Sequence, residues 1–471
     1  MTDQTPEQIA LLRALDVGAS TVPGSSTLDA VRRAVLDAAS VALAGRSHPR
    51  LRPLRAALAG PSTPAGATLW GSADRIDPAT AALLNGTAVH AYDFDDTHDA
   101  AIVHTMSAVL PAALAGAEIA GADGATLVAA VAGGTELACN VSLAAGHYAG
   151  WHYTTLCGGI AAALAAGITL GLAEPALADA VGNAYTLAAG NKQAVLDGSL
   201  LKRMMPGFAA HTGVLAARAA SAGLGGVRNW FGGQYGLANL HYEGDARPDE
   251  LAGGPQPRIT ELSFKPVPAC RFTHGAIEAA ALLRAELRDA GVPVTELRSV
   301  DVRYPALQRF ALVCRPYERR GEAEMDAQFS TAYLVAATLH RGVVDFASYL
   351  PAALADPAVA GLAETVRISR DLPVRDDHAL APIEVSAAGH TVRVDEVLGS
   401  PARPMSRADQ RAKFLACVNQ SVTDTAHTGS PTTTDAPARW ERLCAAVESL
   451  ADRGVRADSV VRAMVPSDNI S

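Results

Sequence analysis

The chain is short of aromatic side chains, of cysteine motifs and of positive charge. Phe, Trp and Tyr make up 5% of its 471 residues, whereas hydrophobic residues make up 49%. The core must therefore be filled by Ala, Leu and Val, which favours helices packed at close range. The six cysteines, Cys139, Cys157, Cys270, Cys314, Cys417 and Cys444, form no CxxC pair and no Cys/His zinc spacing. They read as reduced core thiols of a cytoplasmic protein. A formal net charge of -9 argues against a broad nucleic-acid surface and leaves room for a small cationic pocket. The longest apolar run, Thr155 to Leu172, is dominated by Ala and Gly and reads as a buried helix, not a membrane span. The N-terminal MTDQTPEQIALLRAL is polar and acidic, unlike a signal peptide. No internal repeat is evident.

At this length two domains are expected. Helical spacing of apolar residues predicts helices over Asp29–Leu43, Ala81–Tyr92, Ala108–Ile119, Thr126–Leu143, Gly158–Leu172 and Ala176–Leu187. No convincing strand precedes about residue 255. The texture changes at Phe264-Lys265-Pro266-Val267-Pro268, where two prolines force an extended path and Thr273 is placed to cap a helix. Strands follow at Ser299–Tyr304 and Thr365–Ser369, a helix at Met325–His340, and a hairpin over Pro382–Val397 turning at Ala388-Gly389. Ser406 with Asp409 fits a capping box opening a helix through Cys417. Thr423–Pro437 is Thr/Ser/Pro-rich and reads as a flexible loop before a last helix, Ala438–Leu450. The expected fold is mainly helical with an inserted α/β domain: 1–262 helical, 263–403 an α/β lid, and 404–471 helical again.

The densest chemistry lies in HAYDFDDTHDAAIVHT, residues 90–105. His90, Asp93 and Thr97 fall at i, i+3 and i+7, so a helix would place them on one inward face. Burying several ionisable groups is costly unless they are paired or used, which makes the run a candidate active site. Four further clusters follow. His152, in GWHYTT, sits at a helix mouth, where it suits acid–base work or carboxylate binding. Lys202 and Arg203 precede an Ala-rich helix starting near Phe208 and suit anionic oxygens. Lys265, Arg271 and His274 flank the inferred domain boundary and a helix start, both common ligand positions. Arg315–Arg320 has no periodicity and reads as a solvated loop.

Two chemistries use these residues. Asp95, Asp96 and Asp99 match a DDxxD pattern that would hold magnesium against a diphosphate, as in helical isoprenoid synthases. That reading needs a second acidic ligand cluster and an aromatic pocket, and neither is evident. The other is metal-free proton chemistry on a polycarboxylate. His104 and His152 would move protons, Asp93 and Thr97 would orient a histidine or a substrate hydroxyl, and Lys202 and Lys265 would grip carboxylates.

The ordered set DFDDTH, WH, KRMMPGFAAHTGVLAA, FKPVPACRFTHGAIEAA and DAQFSTAYLVAATL resembles the MmgE/PrpD family from about residue 10 to about residue 455. That family contains 2-methylcitrate dehydratase, cis-aconitate decarboxylase and iminodisuccinate epimerase. The resemblance implies a helical domain made from both chain ends, a smaller α/β lid, an active site between them and a homodimer. It also implies no metal and no organic cofactor. By motif it assigns catalytic roles to Asp93, Thr97, His104 and His152, and substrate contacts to Lys202, Lys265 and His274, with Arg203 and Arg271 beside them.

Three departures bear on the reaction. Thr105 follows His104 where the family often has Pro, and Met205 stands where a histidine is common. Where the decarboxylase branch carries a functional tyrosine, this chain has Arg309 or Phe310, with Tyr304 and Tyr317 offset. The resulting expectation is a cytoplasmic, cofactor-independent lyase acting on a small di- or tricarboxylate, with dehydration of a β-hydroxy acid first. Decarboxylation or epimerisation, specialised metabolism included, is the alternative. A magnesium-dependent isoprenoid-type enzyme and a silent carboxylate-binding protein are more distant ones. No nucleic-acid or membrane partner is expected.

Overall fold

A computed structural model describes residues 4–147, 150–374, 376–378, 380–425 and 436–465. The first helices are α1 (Pro6–Ala19), α2 (Ser26–Gly45), α3 (Pro78–His90), α4 (Val109–Ala120), α5 (Gly124–Leu143), α6 (Tyr153–Thr169), α7 (Glu174–Thr186) and α8 (Leu201–Ser221). Next come α9 (His274–Asp289), β1 (Val300–Pro305), α10 (Ala323–Gln328), α11 (Thr331–Arg341), β2 (Val366–Leu372), β3 (Ile383–Ala387) and β4 (His390–Val394). The chain returns to helices with α12 (Arg407–Thr425), α13 (Ala436–Glu448) and α14 (Ser459–Met464). The fold is thus mainly helical with a smaller α/β region, as the sequence predicts.

Several helices start earlier than periodicity alone indicates, because polar caps take up the first free N–H groups. Ser25 accepts from the Leu28 N–H before α2, Asp77 from Thr80 before α3, and Asp123 from Thr126 before α5. Other expectations need correction. The predicted Met325–His340 helix is two helices, because Ser330 leaves helical geometry and caps α11 by accepting from the Tyr333 N–H. Thr273 does not cap α9; its hydroxyl donates to the Cys270 carbonyl at 2.7 Å, and a 3-10 turn leads in instead. The helix expected near Phe208 begins at Leu201, so Lys202 and Arg203 lie on it, with Pro206 inside. Strands Ala67–Thr68 and Arg75–Ile76 pair before residue 255 but are too short to show alternation. The Ser406/Asp409 box forms, and α12 runs past Cys417. Of the predicted Thr423–Pro437 loop, both ends are helical and 426–435 lie outside the described residues.

Two compact units emerge. One comprises 1–192, 203–262 and 406–471; the other comprises 193–202 and 263–405. Gln193–Lys202 clusters with the second unit rather than with the first, where the sequence reading has it.

In the first unit α5 packs on α1 and α6, α4 on α6, α3 on α2 and α4, and α12 on α2. Small residues set the spacing. A Cβ on Gly86 of α3 would lie 2.5 Å from the Ser107 carbonyl oxygen and 3.0 Å from the Gly207 Cα. Glycine therefore lets α3, the segment after His104 and the helix carrying Arg203 meet. Helix α5 is long and apolar enough to cross a membrane, and 83% of that stretch is buried in the fold.

The second unit holds a four-stranded sheet in the order β2-β1-β3-β4. β1 pairs parallel to β2 and antiparallel to β3, and β3 and β4 form a hairpin. Its turn has Ala388 at φ 50° and Gly389 at φ 82°, the two positive values a tight primed turn requires. Helix α9 packs on β3, β4 and α11.

One buried ion pair joins the late helix to the early ones. The Lys413 ammonium of α12 lies 2.6 Å from Asp37 of α2, donates to the Phe94 carbonyl at 2.7 Å and stands 4.2 Å from the Phe94 ring centroid. Removing one partner strands the other charge in the core. Lys413→Met should therefore cost about 3–5 kcal/mol in chemical denaturation. Adding Asp37→Asn should recover part of that loss, and a double variant no more stable than Lys413→Met would remove the pair from this account.

Candidate active site

The site is built on the turn that ends α3. His90 closes the helix, but Asp93 has φ 53°, a left-handed conformation that a helix cannot continue through. The predicted single helical face for His90, Asp93 and Thr97 is therefore replaced by a turn and a two-residue strand, Thr97–His98. The inward orientation does hold: His90, Asp93, Asp95, Asp96, Thr97 and His98 are all buried. Ile102, β-branched, also has a positive φ of 56°. Such residues cost about 1–3 kcal/mol each and persist only where surrounding contacts over-determine them. At Ile102 those contacts are its N–H to the His98 carbonyl (2.8 Å) and the His98 N–H to the Val103 carbonyl (2.9 Å).

Each carboxylate in the turn has its own partner. Asp93 forms a buried salt bridge with Arg203 at 3.1 Å. Asp95 accepts from His90 Nδ1, 2.9 Å from both oxygens. Asp96 accepts from the Thr105 N–H (3.0 Å), the Thr105 hydroxyl (2.9 Å) and the Met106 N–H (3.2 Å). Asp99 accepts from the Thr97 hydroxyl at 2.9 Å. The DDxxD carboxylates are thus committed separately. Among the described residues, one set of metal-ligating types, His90, Asp93, Asp95 and His104, offers atoms within 4.8 Å of one another, and it contains neither Asp96 nor Asp99. Arg203 already sets a positive charge on Asp93, and an imidazole N–H is turned onto Asp95.

The hydrogen bonds also fix where the His104 and His98 imidazoles carry their protons. His104 Nδ1 lies 2.8 Å from the Asp96 carbonyl. A carbonyl only accepts, so Nδ1 holds the hydrogen and Nε2 is the basic atom. Nε2 faces Asp93 at 3.9 Å, close enough for the carboxylate to stabilise a proton there. His98 is the reverse case. Its Nδ1 accepts from the Ala101 N–H at 3.1 Å, and its Nε2 donates to Glu261 at 2.9 Å. Both ring nitrogens are thereby tied to the loop and its neighbour, which makes His98 a structural histidine. His152 is the N-cap residue of α6, with Nδ1 2.7 Å from the Thr155 hydroxyl. The His104 N–H donates to the Thr154 hydroxyl at 3.0 Å, which ties the two histidine segments together.

Of the residues singled out from the sequence, Asp93, Thr97, His104, His152 and Arg203 fall in the first unit. Arg203, expected to face anionic oxygens, pairs with the Asp93 carboxylate. Lys202, Lys265, Arg271 and His274 fall in the second unit. Lys202 stands 5.1 Å from the Phe329 ring centroid, and Lys265 is fully buried. Arg271 donates to the Leu398 carbonyl (2.9 Å) and the Ser263 hydroxyl (3.3 Å), and His274 Nε2 lies 3.1 Å from the Ala269 carbonyl. Tyr304 is buried against the Thr331 hydroxyl at 2.8 Å, and burial pushes its phenol well above its ordinary range. Phe310 packs on Tyr304, with ring centroids 5.0 Å apart. Arg309 donates to the His378 carbonyl, and Tyr317 packs on Tyr333. The expected solvated loop Arg315–Arg320 is irregular, but Arg315 Nη2 is buried without a hydrogen-bond partner.

Burial, and then the charge of Asp95 beside it, pushes the Asp96 carboxyl from its ordinary 3.8 up to about 7. The folded protein then holds a proton that an unfolded aspartate releases. The stability this group contributes is complete below about pH 3.8 and is lost as pH rises through about 7. Asp96→Asn should therefore show a shallower fall in melting temperature between about pH 5 and pH 8 than the unsubstituted protein. Parallel curves would show that Asp96 is ionised throughout.

Residues 15–249 match the family model described as the MmgE/PrpD N-terminal domain, and residues 267–429 match that of the MmgE/PrpD C-terminal domain. The chain is 29% identical to the cis-aconitate decarboxylase-like protein oryM of Aspergillus oryzae over 388 residues, covering 77% of this chain and 80% of that protein. It is 28% identical to cis-aconitate decarboxylase of Mus musculus over 382 residues, covering 75% of each. It is 27% identical to cis-aconitate decarboxylase of Aspergillus terreus over 343 residues, covering 67% of this chain and 68% of that protein.

Proposed function

Because the chain belongs to the MmgE/PrpD family, we propose that it is a lyase acting on a small di- or tricarboxylate, with His104 exchanging a proton at a substrate carbon. The observation that carries this reading is the tautomer of His104: Nδ1–H locked on the Asp96 carbonyl, with Nε2 opposite Asp93. Such an imidazole can take a proton and return it without turning its ring.

Decarboxylation is the first form of the reaction. The relatives named above support it over the dehydration expected from the sequence alone. In decarboxylation the carbon–carbon bond to one carboxylate breaks, CO2 leaves, and the electron pair stays on the carbon framework. A proton from imidazolium Nε2 then quenches that pair. Dehydration is the second form, favoured by the Arg309/Phe310 departure from the decarboxylase tyrosine. There, neutral Nε2 takes the α proton, its electron pair becomes the double bond, and hydroxide leaves as water after protonation by a second acid, with His152 the candidate.

The protein incubated in D2O with citrate, 2-methylcitrate, cis-aconitate and β-hydroxy and amino dicarboxylates, followed by proton NMR, should convert at least one of them. Loss of CO2, loss of water or exchange alone would identify the form. His104→Gln should lower that turnover by about a hundredfold or more, and unchanged turnover would remove His104 from the mechanism.

We further propose that the protein works as a homodimer. Phe208 and Leu215 are exposed seven residues apart on one face of α8, and Leu187, Leu224, Tyr235 and Leu240 are exposed nearby in sequence. Tyr185 donates to the Tyr235 carbonyl, and Asn183 to that of Leu224, drawing those segments beside α7. Sedimentation should give twice the chain mass, and Phe208→Asp should shift it toward one.

A further inference from the structure

Outside the residues assigned above, His90 and Asp95 form the most deeply buried ionisable pair in the turn. Neither side chain has measurable exposure. The Asp95 carboxylate lies between two imidazoles: His90 Nδ1 is 2.9 Å from both oxygens, and His104 Nδ1 is 3.5 Å from Oδ2. The two rings meet edge to face, with centroids 4.6 Å apart. Asp95 therefore stands on the far side of His104 from the basic Nε2.

We infer that His90 and Asp95 are a positioning pair for His104: Asp95 raises the proton affinity of His104 Nε2, and His90 holds Asp95 in place by donating to it. Both halves follow from the charges around the ring. A negative carboxylate near Nδ1–H stabilises the imidazolium more than the neutral ring. The His90 N–H donates to both Asp95 oxygens and so holds the buried carboxylate in place beside the His104 ring. Asp93 acts on the opposite, Nε2 edge and is itself drawn toward Arg203. Asp96 contributes its carbonyl, while its carboxylate turns to Thr105 and Met106. Lys413 is occupied with Asp37 and the Phe94 carbonyl, and α6 offers the Thr154 hydroxyl to the His104 N–H. Since the Asp96 carbonyl holds the tautomer independently, loss of Asp95 should change the strength of the base without changing which nitrogen is basic.

The catalytic meaning of this pair rests on the proposed proton-transfer reading, but its test does not. The imidazole of His104, assigned by comparison with His104→Gln, is titrated by NMR in the full-length protein without substrate. Asp95→Asn should lower its titration midpoint by about one pH unit or more. His90→Leu, which removes the donor, should lower it similarly, and His90→Gln, which keeps an N–H, should restore most of the shift. Melting temperatures run alongside show which variants fold. If folded Asp95→Asn leaves the His104 midpoint in place, or if His90→Leu and His90→Gln titrate alike, the pair is structural only and the inference fails. If the midpoints move as expected while no carboxylate is converted, the pairing stands and the proposed function is what fails. With a converted substrate, the same variants should shift the pH profile of kcat/KM by the same amount, with KM little changed.

Discussion

The first unit buries several carboxylates in an Ala- and Leu-rich interior, Asp37, Asp93, Asp95 and Asp96 among them, and much of its architecture answers that constraint. Each acid is satisfied from a different part of the chain. Lys413 comes from the late helix, Arg203 from α8, His90 from the end of α3, and the Thr105 and Met106 N–H groups from the segment beyond the turn. A low-dielectric interior strengthens these contacts and makes any missing one expensive. The turn is consequently rigid enough to keep Asp93 and Ile102 in left-handed backbone conformations.

That order bears on the proposed proton transfer. An imidazole with one nitrogen fixed by a carbonyl exchanges its proton through the other. The turn contains His90, His98 and His104, and their backbone and carboxylate contacts assign them different states. His98 is tied through both nitrogens, His90 is turned onto Asp95, and only His104 combines a carbonyl-held Nδ1 with an Nε2 near a carboxylate. Composition cannot make this distinction. Geometry makes it with single hydrogen bonds.

The long helices were legible because period-3.6 patterning survives in Ala-rich sequence, and the β3–β4 hairpin because Ala388-Gly389 marks its turn. The burial of the charged residues at 90–98 was legible from their apolar setting. The geometry of that run was not, because the left-handed Asp93 is invisible to helical periodicity. Asp95 and Asp96 looked alike in sequence, yet one faces two imidazoles and the other caps a backbone segment. The Arg203–Asp93 pair was not legible, because the two residues lie 110 positions apart in the chain. Lys413 gave no local signal at all. Its contacts are with residues hundreds of positions away, and only the fold brings them together.

The Lys413 contact also orders events in time. Phe94 and Lys413 are 319 residues apart. At about 5–20 residues per second of synthesis, roughly 15–60 seconds separate the appearance of the turn from that of the ammonium that neutralises Asp37 beneath it. Throughout that interval the early helices exist with an uncompensated acid in their future core. The second unit, whose last residue is Met405, is fully synthesised before Lys413 is made. A nascent chain therefore contains every residue of the inserted unit before it contains the ammonium that pairs with Asp37.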